Sequence, residues 1–435
     1  MEVFRSVVDP RALRVAVVGF GTVGQSVVRA VADDHPSLRV THICNRDVDR
    51  KRTEGEWVAA DVVWTDDIDV VLTSDVDVVV ELIGGVTDAT EWISRSLEAG
   101  KDVVTANKQL LAHHGSELRR IAKENDRSLF FEASVAGGIP IIHGVQQGLA
   151  GDKLFRLRGI LNGTCNYILT RMEAESVSFA EVLSDAQKLG FAEADPTEDV
   201  DGFDAQAKIA ILSSVAFGYE LDVQQISVGT IRAIEAIDFV YSGRMQHTIR
   251  QVAEVEIVDE KEPSVCASVR PMLVPLSSAL ARVEGSRNVV GVEGRFGKET
   301  VFSGFGAGGG PTAVAVVSDL ESIAAYGSNR RAQGRNIVTA TVTEQLFAPY
   351  YVRFVVSDRP GIIEALAGTF SKFGINIDSV LQEPGYSKAE LPFVVTLEAC
   401  QSSIVELALQ ECALMDFNVR PPLSMPMLET GDRKE

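Results

Sequence analysis

Cysteine is scarce in this chain. Five residues in 435, Cys44, Cys165, Cys266, Cys400 and Cys412, are scattered without a CxxC pair. That pattern argues against a zinc site or a disulfide framework and for a reducing compartment. Positive charge is the minority sign, with 41 Lys and Arg against 61 Asp and Glu and a formal net charge of −20. Acids run through the whole sequence, so neither nucleic acid nor an anionic membrane is expected as a main partner. No apolar run approaches the roughly 20 residues of a membrane span. The first residues also lack the basic-then-apolar order of a signal peptide, and a soluble, cytoplasmic protein is the expectation. Apolar material is plentiful. It makes up 46% of residues, and mean hydropathy is slightly positive, enough to bury cores in about two to four domains.

The densest chemistry lies between Glu193 and Lys208, where acids including Glu193, Asp199 and Asp204 precede a single lysine. The following stretch, Ile209 to Phe217, carries no charge. A helix starting near Phe203 would therefore be buried nearly all round. Asp204 and Lys208, four residues apart, share one face of it. The helix start favours the carboxylate and disfavours the ammonium, burial also favours a neutral lysine, and the surrounding acids oppose both. That competition suits a lysine that exchanges a proton. An ordinary ion pair fits an isolated DxxxK too, but charges gathered before so apolar a helix favour a site.

Near the start, Leu13–Val18 is a β-branched run that leads into Gly19-Phe20-Gly21-Thr22-Val23-Gly24 and a helical stretch from Gln25 to about Ala32. Strand, glycine loop and helix come in the order that binds a dinucleotide. Two glycines allow the turn and a close approach to the pyrophosphate, and the third lets helix and strand pack. The second strand, Arg39–Cys44, ends in Asn45-Arg46-Asp47. Arg46 stands where an acid normally binds the ribose hydroxyls, which favours NADP, while Asp47 keeps NAD open. Further buried strands are expected at Val76–Val80, before Gly84-Gly85, and at Asp102–Thr105, before Ala106-Asn107-Lys108. Ligands sit at such carboxyl ends, so Lys108 is a second candidate lysine, with a solvated helix-opening lysine as the plain alternative.

Three more stretches carry glycine or small polar groups. Phe130 to Pro140 reads as a strand ending in a Gly137-Gly138 turn whose carbonyls, with Glu132, suit either a hard cation or a structural turn. Asn162-Gly163-Thr164 sits between apolar runs, as a substrate-facing loop or an Asn-Gly turn. Gly306 to Gly310, ahead of Pro311, suits close approach to a ligand or a flexible connection.

Taken together these motifs resemble the homoserine dehydrogenase family over nearly the whole chain. GFGTVG, TANK, FEASVAGGIP, GILNGTCNYI, AEADPTEDVDGFDAQAKIAIL and GFGAGGGPTA follow in the family's order. The resemblance implies interconversion of L-homoserine and L-aspartate 4-semialdehyde in threonine, methionine and isoleucine biosynthesis. In it Lys208 is the proton donor and acceptor, and Asp204 is its helix partner. Glu193 binds the substrate's amino end, Asp199 lies in the same loop, and Lys108 contacts both cofactor and substrate. Phe20, Thr22, Val23 and Gly306 become cofactor contacts. Glu132 with the carbonyls of Val135, Gly137 and Ile139 becomes a sodium site. The implied architecture is α/β. It comprises a Rossmann-type domain at about 12–135 completed by 306–335, a catalytic and dimerisation domain at 136–305, and a homodimer or homotetramer.

The last segment reads as strand, helix, strand, strand, helix, with a βαββαβ order overall. Tyr350–Val356 alternates, Ile362–Phe373 has helical spacing, Gly374-Ile-Asn376-Ile opens a strand, and Leu391–Leu397 and Ser402–Ala413 follow. DRPGI and GINI here resemble an ACT domain, about 350–425, and imply an amino-acid effector such as threonine. The hairpin Glu383–Lys388 departs from the commoner pattern, and a packing role without ligand fits it as well.

Two enzyme alternatives and one non-enzyme share parts of this pattern. Aspartate semialdehyde dehydrogenase needs a cysteine nucleophile with histidine support, and 3-phosphoglycerate dehydrogenase needs a His–Glu pair; neither is evident among these five cysteines and six histidines. A non-catalytic amino-acid-binding regulator would not need Asp204 and Lys208 together.

Overall fold

The computed structural model describes residues 12–327, 337–343 and 346–429. Of the termini whose roles the sequence leaves open, 1–12 and 425–435, positions 1–11 and 430–435 lie outside the described residues, as do 335, 336, 344 and 345 of a connection that the sequence pattern places at 335–349.

In chain order the elements begin with β1 (Leu13–Val18), α1 (Thr22–Asp34), β2 (Leu38–Cys44), α2 (Val48–Glu54), β3 (Val63–Thr65) and α3 (Ile68–Thr73). They continue with β4 (Val78–Glu81), α4 (Thr87–Glu98), β5 (Asp102–Thr105), α5 (Lys108–Glu124), β6 (Leu129–Phe130) and the short α6 (Ile141–His143). Next come β7 (Leu154–Ile160), α7 (Gly163–Glu175), α8 (Phe179–Lys188), α9 (Thr197–Val200), α10 (Phe203–Phe217), β8 (Tyr219–Glu220), β9 (Ser227–Val228) and α11 (Ala236–Arg244). The long strands β10 (His247–Asp259), β11 (Ser264–Pro275), β12 (Arg287–Gly294) and β13 (Lys298–Phe305) lead to α12 (Gly309–Tyr326), β14 (Val338–Thr339) and β15 (Thr341–Thr343). The chain closes with β16 (Phe347–Val356), α13 (Ile362–Lys372), β17 (Ile377–Gln382), β18 (Leu391–Gln401), α14 (Ser402–Ala413) and β19 (Asn418–Pro426).

Two compact units result: Met1–Phe155 with Ala207–Val223 and Gly291–Ala340, and Arg156–Gln206 with Gln224–Val290 and Thr341–Glu435. The first contains a parallel six-stranded sheet in the order β3-β2-β1-β4-β5-β6, whose order reverses between β1 and β4. Alternate residues of β1 serve opposite faces. Val15 and Val17 join Val27, Val28 and Val31 of α1 and Val316, Val317 and Leu320 of α12. Ala16 and Val18 pack with Ile68, Val71 and Val79 on the other side. Burial on both faces is why these strands read as unbroken apolar runs rather than alternating ones.

Local differences from the sequence reading have simple causes. Strand β3 is only Val-Trp-Thr, too short to show a period, so the run near Val76 is the fourth strand and not the third. The expected strand through Glu132 ends at Phe130; Glu132–Ser134 form a single 3₁₀ turn because Glu132 turns inward.

A second sheet runs β13-β12-β7-β10-β11-β15, with β9 also pairing β11. Its centre is the long antiparallel pair β10 and β11. The C-terminal βαββαβ module forms an antiparallel sheet in the order β17-β18-β16-β19. Tyr350, Val352 and Phe354 face its own helices α13 and α14. Tyr351, Val394 and Met425 face the other way, into a cluster with Ile168, Leu169, Ile237, Phe239 and Tyr241. Both faces of this small sheet are therefore covered within the second unit. Among the described residues no helix is long and apolar enough to cross a membrane.

Candidate active site

In the first unit the loop after β1 is shaped by glycines at two points. Gly19 has φ +106°, and a Cβ there would lie 2.7 Å from the Leu82 carbonyl. A Cβ on Gly24 would lie 2.1 Å from the Gly19 oxygen, so only glycine lets α1 start against this turn. A Cβ on Gly21, by contrast, would meet nothing within 4 Å. Helix α1 begins at Thr22 with no side-chain cap and no acid in its first turn, so its leading N–H groups are available to an anion. Helix α12 starts at Gly309 in the same uncapped way, and a Cβ on Gly309 would lie 2.9 Å from Thr22 and Ser26 side chains. The two helix starts abut. This open space beside uncapped amides fits a pyrophosphate.

Phe20 is fully buried against Trp64, with ring centroids 4.9 Å apart, and its N–H donates to Asn45 Oδ1 at 3.0 Å. Its ring is thus part of the core, while Thr22 is exposed and Val23 half-buried. Arg46, next to Asn45, is exposed. The Asp47 carboxylate is held by Arg50 at 2.8 Å.

The carboxyl ends of β4 and β5 are wired together. Glu81, 1% exposed, accepts from Thr105 Oγ1 at 2.6 Å and from the N–H groups of Ile83 and Gly84. Burial pushes its carboxyl above the usual range, and these hydrogen bonds pull it back. Asn107 caps α5 by accepting from Leu110 N–H and reaches back to the Gly85 carbonyl at 2.6 Å. Lys108, half-buried, is thereby fixed as the first residue of α5.

Glu132 is buried beneath the Gly137 turn, and its carboxylate accepts from the N–H groups of Ile142 and His143 at 2.9 and 2.7 Å. Its own N–H donates to Asp319 Oδ2, and His143 Nε2 lies 3.1 Å from Asp319 Oδ1. Burial and then the Asp319 charge push Glu132 up to about 7. Val135 and Ile139 are buried, and the Ile139 carbonyl accepts from Ile141 N–H at 2.7 Å. Gly137 has φ +41°, and a Cβ there would lie 2.7 Å from the oxygen of Gly306, so these two glycines touch backbone to backbone. Two buried carboxyl groups, with backbone carbonyls near in the chain, are the oxygen donors that a hard cation takes. His143 and Asp319 gave no sequence signal, since neither belongs to a motif with a spacing of its own.

Helix α10 is buried from Asp204 onward, with Asp204 4% and Lys208 9% exposed, one helical turn apart. In the second unit Asn162 brings two of the expected acids together. Its Nδ2 donates to Asp199 Oδ1 at 2.6 Å and to Asp204 Oδ2 at 2.8 Å. Asp201 is held by Arg232 at 2.9 Å and by Thr230 at 2.6 Å; the Arg232 hydrogen bond keeps its carboxyl below the usual range. Glu193 does not join this group. It is exposed, and its backbone carbonyl accepts from Gln187. The thiols of Cys44 and Cys412 are pushed up to about 11, and that of Cys165 well above its ordinary value, all chiefly by burial. Cys400 is pushed up as well. Such thiols are poor nucleophiles, which weighs against cysteine-dependent aldehyde oxidation.

The chain is similar to known proteins along nearly its whole length. A family profile described as homoserine dehydrogenase matches residues 140–320, its NAD-binding domain profile matches 19–132, and an ACT domain profile matches 350–411. A homoserine dehydrogenase of Bacillus subtilis is 37% identical over 417 residues, 91% of this chain and 94% of that protein. A solved homoserine dehydrogenase structure from Thiobacillus denitrificans superposes with a TM-score of 0.88 at 29% identity, covering 97% of this chain and 99% of the other. A hyperthermophilic archaeal homoserine dehydrogenase in complex with NADPH superposes with a TM-score of 0.60 at 27% identity, over 72% of this chain and 97% of that one. Identity well above a third across nine-tenths of the sequence, on a fold with a dinucleotide-binding parallel sheet and a C-terminal ACT domain, means that the chain belongs to the homoserine dehydrogenase family.

Proposed function

We propose that this NAD(P)-dependent oxidoreductase interconverts L-homoserine and L-aspartate 4-semialdehyde, with Lys208 as the group that moves the proton. The observation that carries the reading is the burial of Asp204 and Lys208 one turn apart at the head of an otherwise apolar helix. A buried lysine followed by no other charge suits proton exchange better than solvation. In the oxidative direction neutral Lys208 takes the hydroxyl proton of homoserine; in the reductive direction protonated Lys208 returns one to the carbonyl oxygen. Lys108 and Glu193 are assigned to the charged ends of the amino acid, and Asp199 belongs to the same acidic loop as Glu193. Exposed Glu193 would have to turn inward on binding. A bound nicotinamide supplies the hydride exchange at the reacting carbon.

Gly19 to Gly24 and Gly306 hold the dinucleotide, and the exposed Arg46, with Asp47 already engaged by Arg50, favours the ribose phosphate of NADP over NAD. A sodium ion at Glu132 and the carbonyls of Val135, Gly137 and Ile139 is supported by the burial of an acid at this glycine turn. We also assign a cytoplasmic location, self-association as a dimer or tetramer, and threonine as the effector of the ACT domain.

Homoserine-dependent reduction of NADP⁺ and NAD⁺ by the purified protein, with and without threonine, tests the whole reading. Lys208→Met should abolish turnover and leave dinucleotide binding intact; loss of both would remove Lys208 from the proton step.

A further inference from the structure

Asn162, 4% exposed, lies between β7 and α7. Its Oδ1 accepts from Cys165 N–H at 2.8 Å, which makes it the N-cap of α7. Because Oδ1 is engaged by a donor, the amide can present only its two Nδ2 hydrogens to the other side. One goes to Asp199 on α9 and the other to Asp204 on α10. The loop around it cannot shift easily. Asn288 Nδ2 donates to the Leu161 carbonyl at 2.9 Å, and a Cβ on Gly163 would lie 2.7 Å from the Ser286 oxygen. One amide thus orients three helix starts at once: it caps α7, and it holds an acid of α9 and an acid in the first turn of α10.

We infer that Asn162 is a positioning residue for the proton transfer, holding Asp199 of α9 and Asp204 of α10 as a pair of anions, Asp204 lying one helical turn before Lys208. This rests on Lys208 being the proton-moving group. Two carboxylates brought to one place repel, and one would take up a proton unless donors favour the charged form. The two N–H bonds of Asn162 supply that preference without adding positive charge. Around the amide, the Cys165 thiol donates to the Asp199 backbone carbonyl at 3.1 Å, and Asp201 is engaged by Arg232 and Thr230. Held in this way, the Asp204 carboxylate keeps its place in the first turn of α10, four residues before the buried Lys208 on the same helix face.

The test separates capping from donation. Asp is as good an N-cap as Asn, so Asn162→Asp keeps the start of α7 but turns the donor into a third carboxylate. We expect thermal stability close to that of the parent. Homoserine oxidation should fall about 10- to 100-fold in kcat/KM at neutral pH, with the acid limb of its pH profile moved upward by about one unit, because an added carboxylate favours the ammonium form of the base. Asn162→Ala, which loses the cap too, should lose both activity and stability. Lys208→Met is assayed alongside. If it keeps turnover, the role of Lys208 is overturned and the inference with it. If it is inactive while Asn162→Asp matches the parent in pH profile and in kcat/KM within twofold, the role of Asn162 alone is overturned.

Discussion

Arg353 on β16 donates from Nη1 to Asp238 Oδ2 at 2.7 Å, and both side chains are buried, 5% and 0% exposed. Tyr351 donates to the other carboxylate oxygen at 2.6 Å, and Arg353 Nη2 reaches the Ala233 carbonyl at 3.0 Å. This pair joins the ACT sheet to the start of α11, whose preceding loop also carries Arg232 and Thr230 against Asp201. Removing Arg353 leaves the buried Asp238 without its cation, with only Tyr351 and the Glu235 N–H still donating to it. Arg353→Met is expected to destabilise the protein by about 3–5 kcal/mol, and the double variant with Asp238→Asn by less than the sum of the two single changes. Urea unfolding of the four proteins checks this.

Asp238 also gives the stability a pH dependence of definite sign. Burial raises its proton affinity above the ordinary aspartate value near 3.8, with Arg353 and Tyr351 opposing. The native state therefore binds this proton more tightly than the unfolded chain does. Its contribution to stability is full below the ordinary value and is lost as pH rises through the raised one. Asp201, lowered by its Arg232 hydrogen bond, acts in the opposite sense, and its contribution disappears as pH falls through the lowered value. Asp238→Asn should be less stable overall but show a flatter decline above pH 4, whereas Asp201→Asn should flatten the acid side. Unfolding curves from pH 3 to 8 distinguish the two.

The glycine loop offers a separation of folding from binding. Gly24→Ala places a methyl 2.1 Å from the Gly19 oxygen and should lower the melting temperature and weaken dinucleotide binding together. Gly21→Ala adds its methyl to open space. It should melt like the parent yet bind the dinucleotide at least tenfold more weakly, because that space is where a pyrophosphate would approach. Calorimetric titration with thermal melts reads both quantities.

The role proposed for Arg46 concerns cofactor choice alone. Arg46→Ala should raise the KM for NADP about 10- to 100-fold, the loss of one charge-assisted phosphate contact, and change that for NAD little. An equal effect on both cofactors would remove Arg46 from the ribose phosphate.

Much of the fold was legible because the sequence states it in local terms. The apolar β-branched runs of β1, β4 and β5, the glycine loop after β1, and the uncharged length of α10 each express a strand, a turn or a buried helix through residues adjacent in the chain. Helix α14 was read at its observed bounds, Ser402–Ala413, for the same reason. Strand β3 and the 3₁₀ turn at Glu132 were not legible, since three residues hold no period and the turn follows from where Glu132 finds its partners. The site divides along the same line. Asp204 and Lys208 declare themselves by spacing on one helix, and so does the loop from Gly19 to Gly24.

What the sequence by itself determined is thus the kind of elements, their order and the candidate groups, because hydrophobic period and turn chemistry are properties of neighbours in the chain. What only the tertiary structure decided is which distant groups meet. Asn162 bonds to residues 37 and 42 positions on, Asp319 meets Glu132 across 187, and Arg353 meets Asp238 across 115. Those partners are selected by the packing of helices and sheets, where each buried polar atom must find a mate wherever the fold puts one.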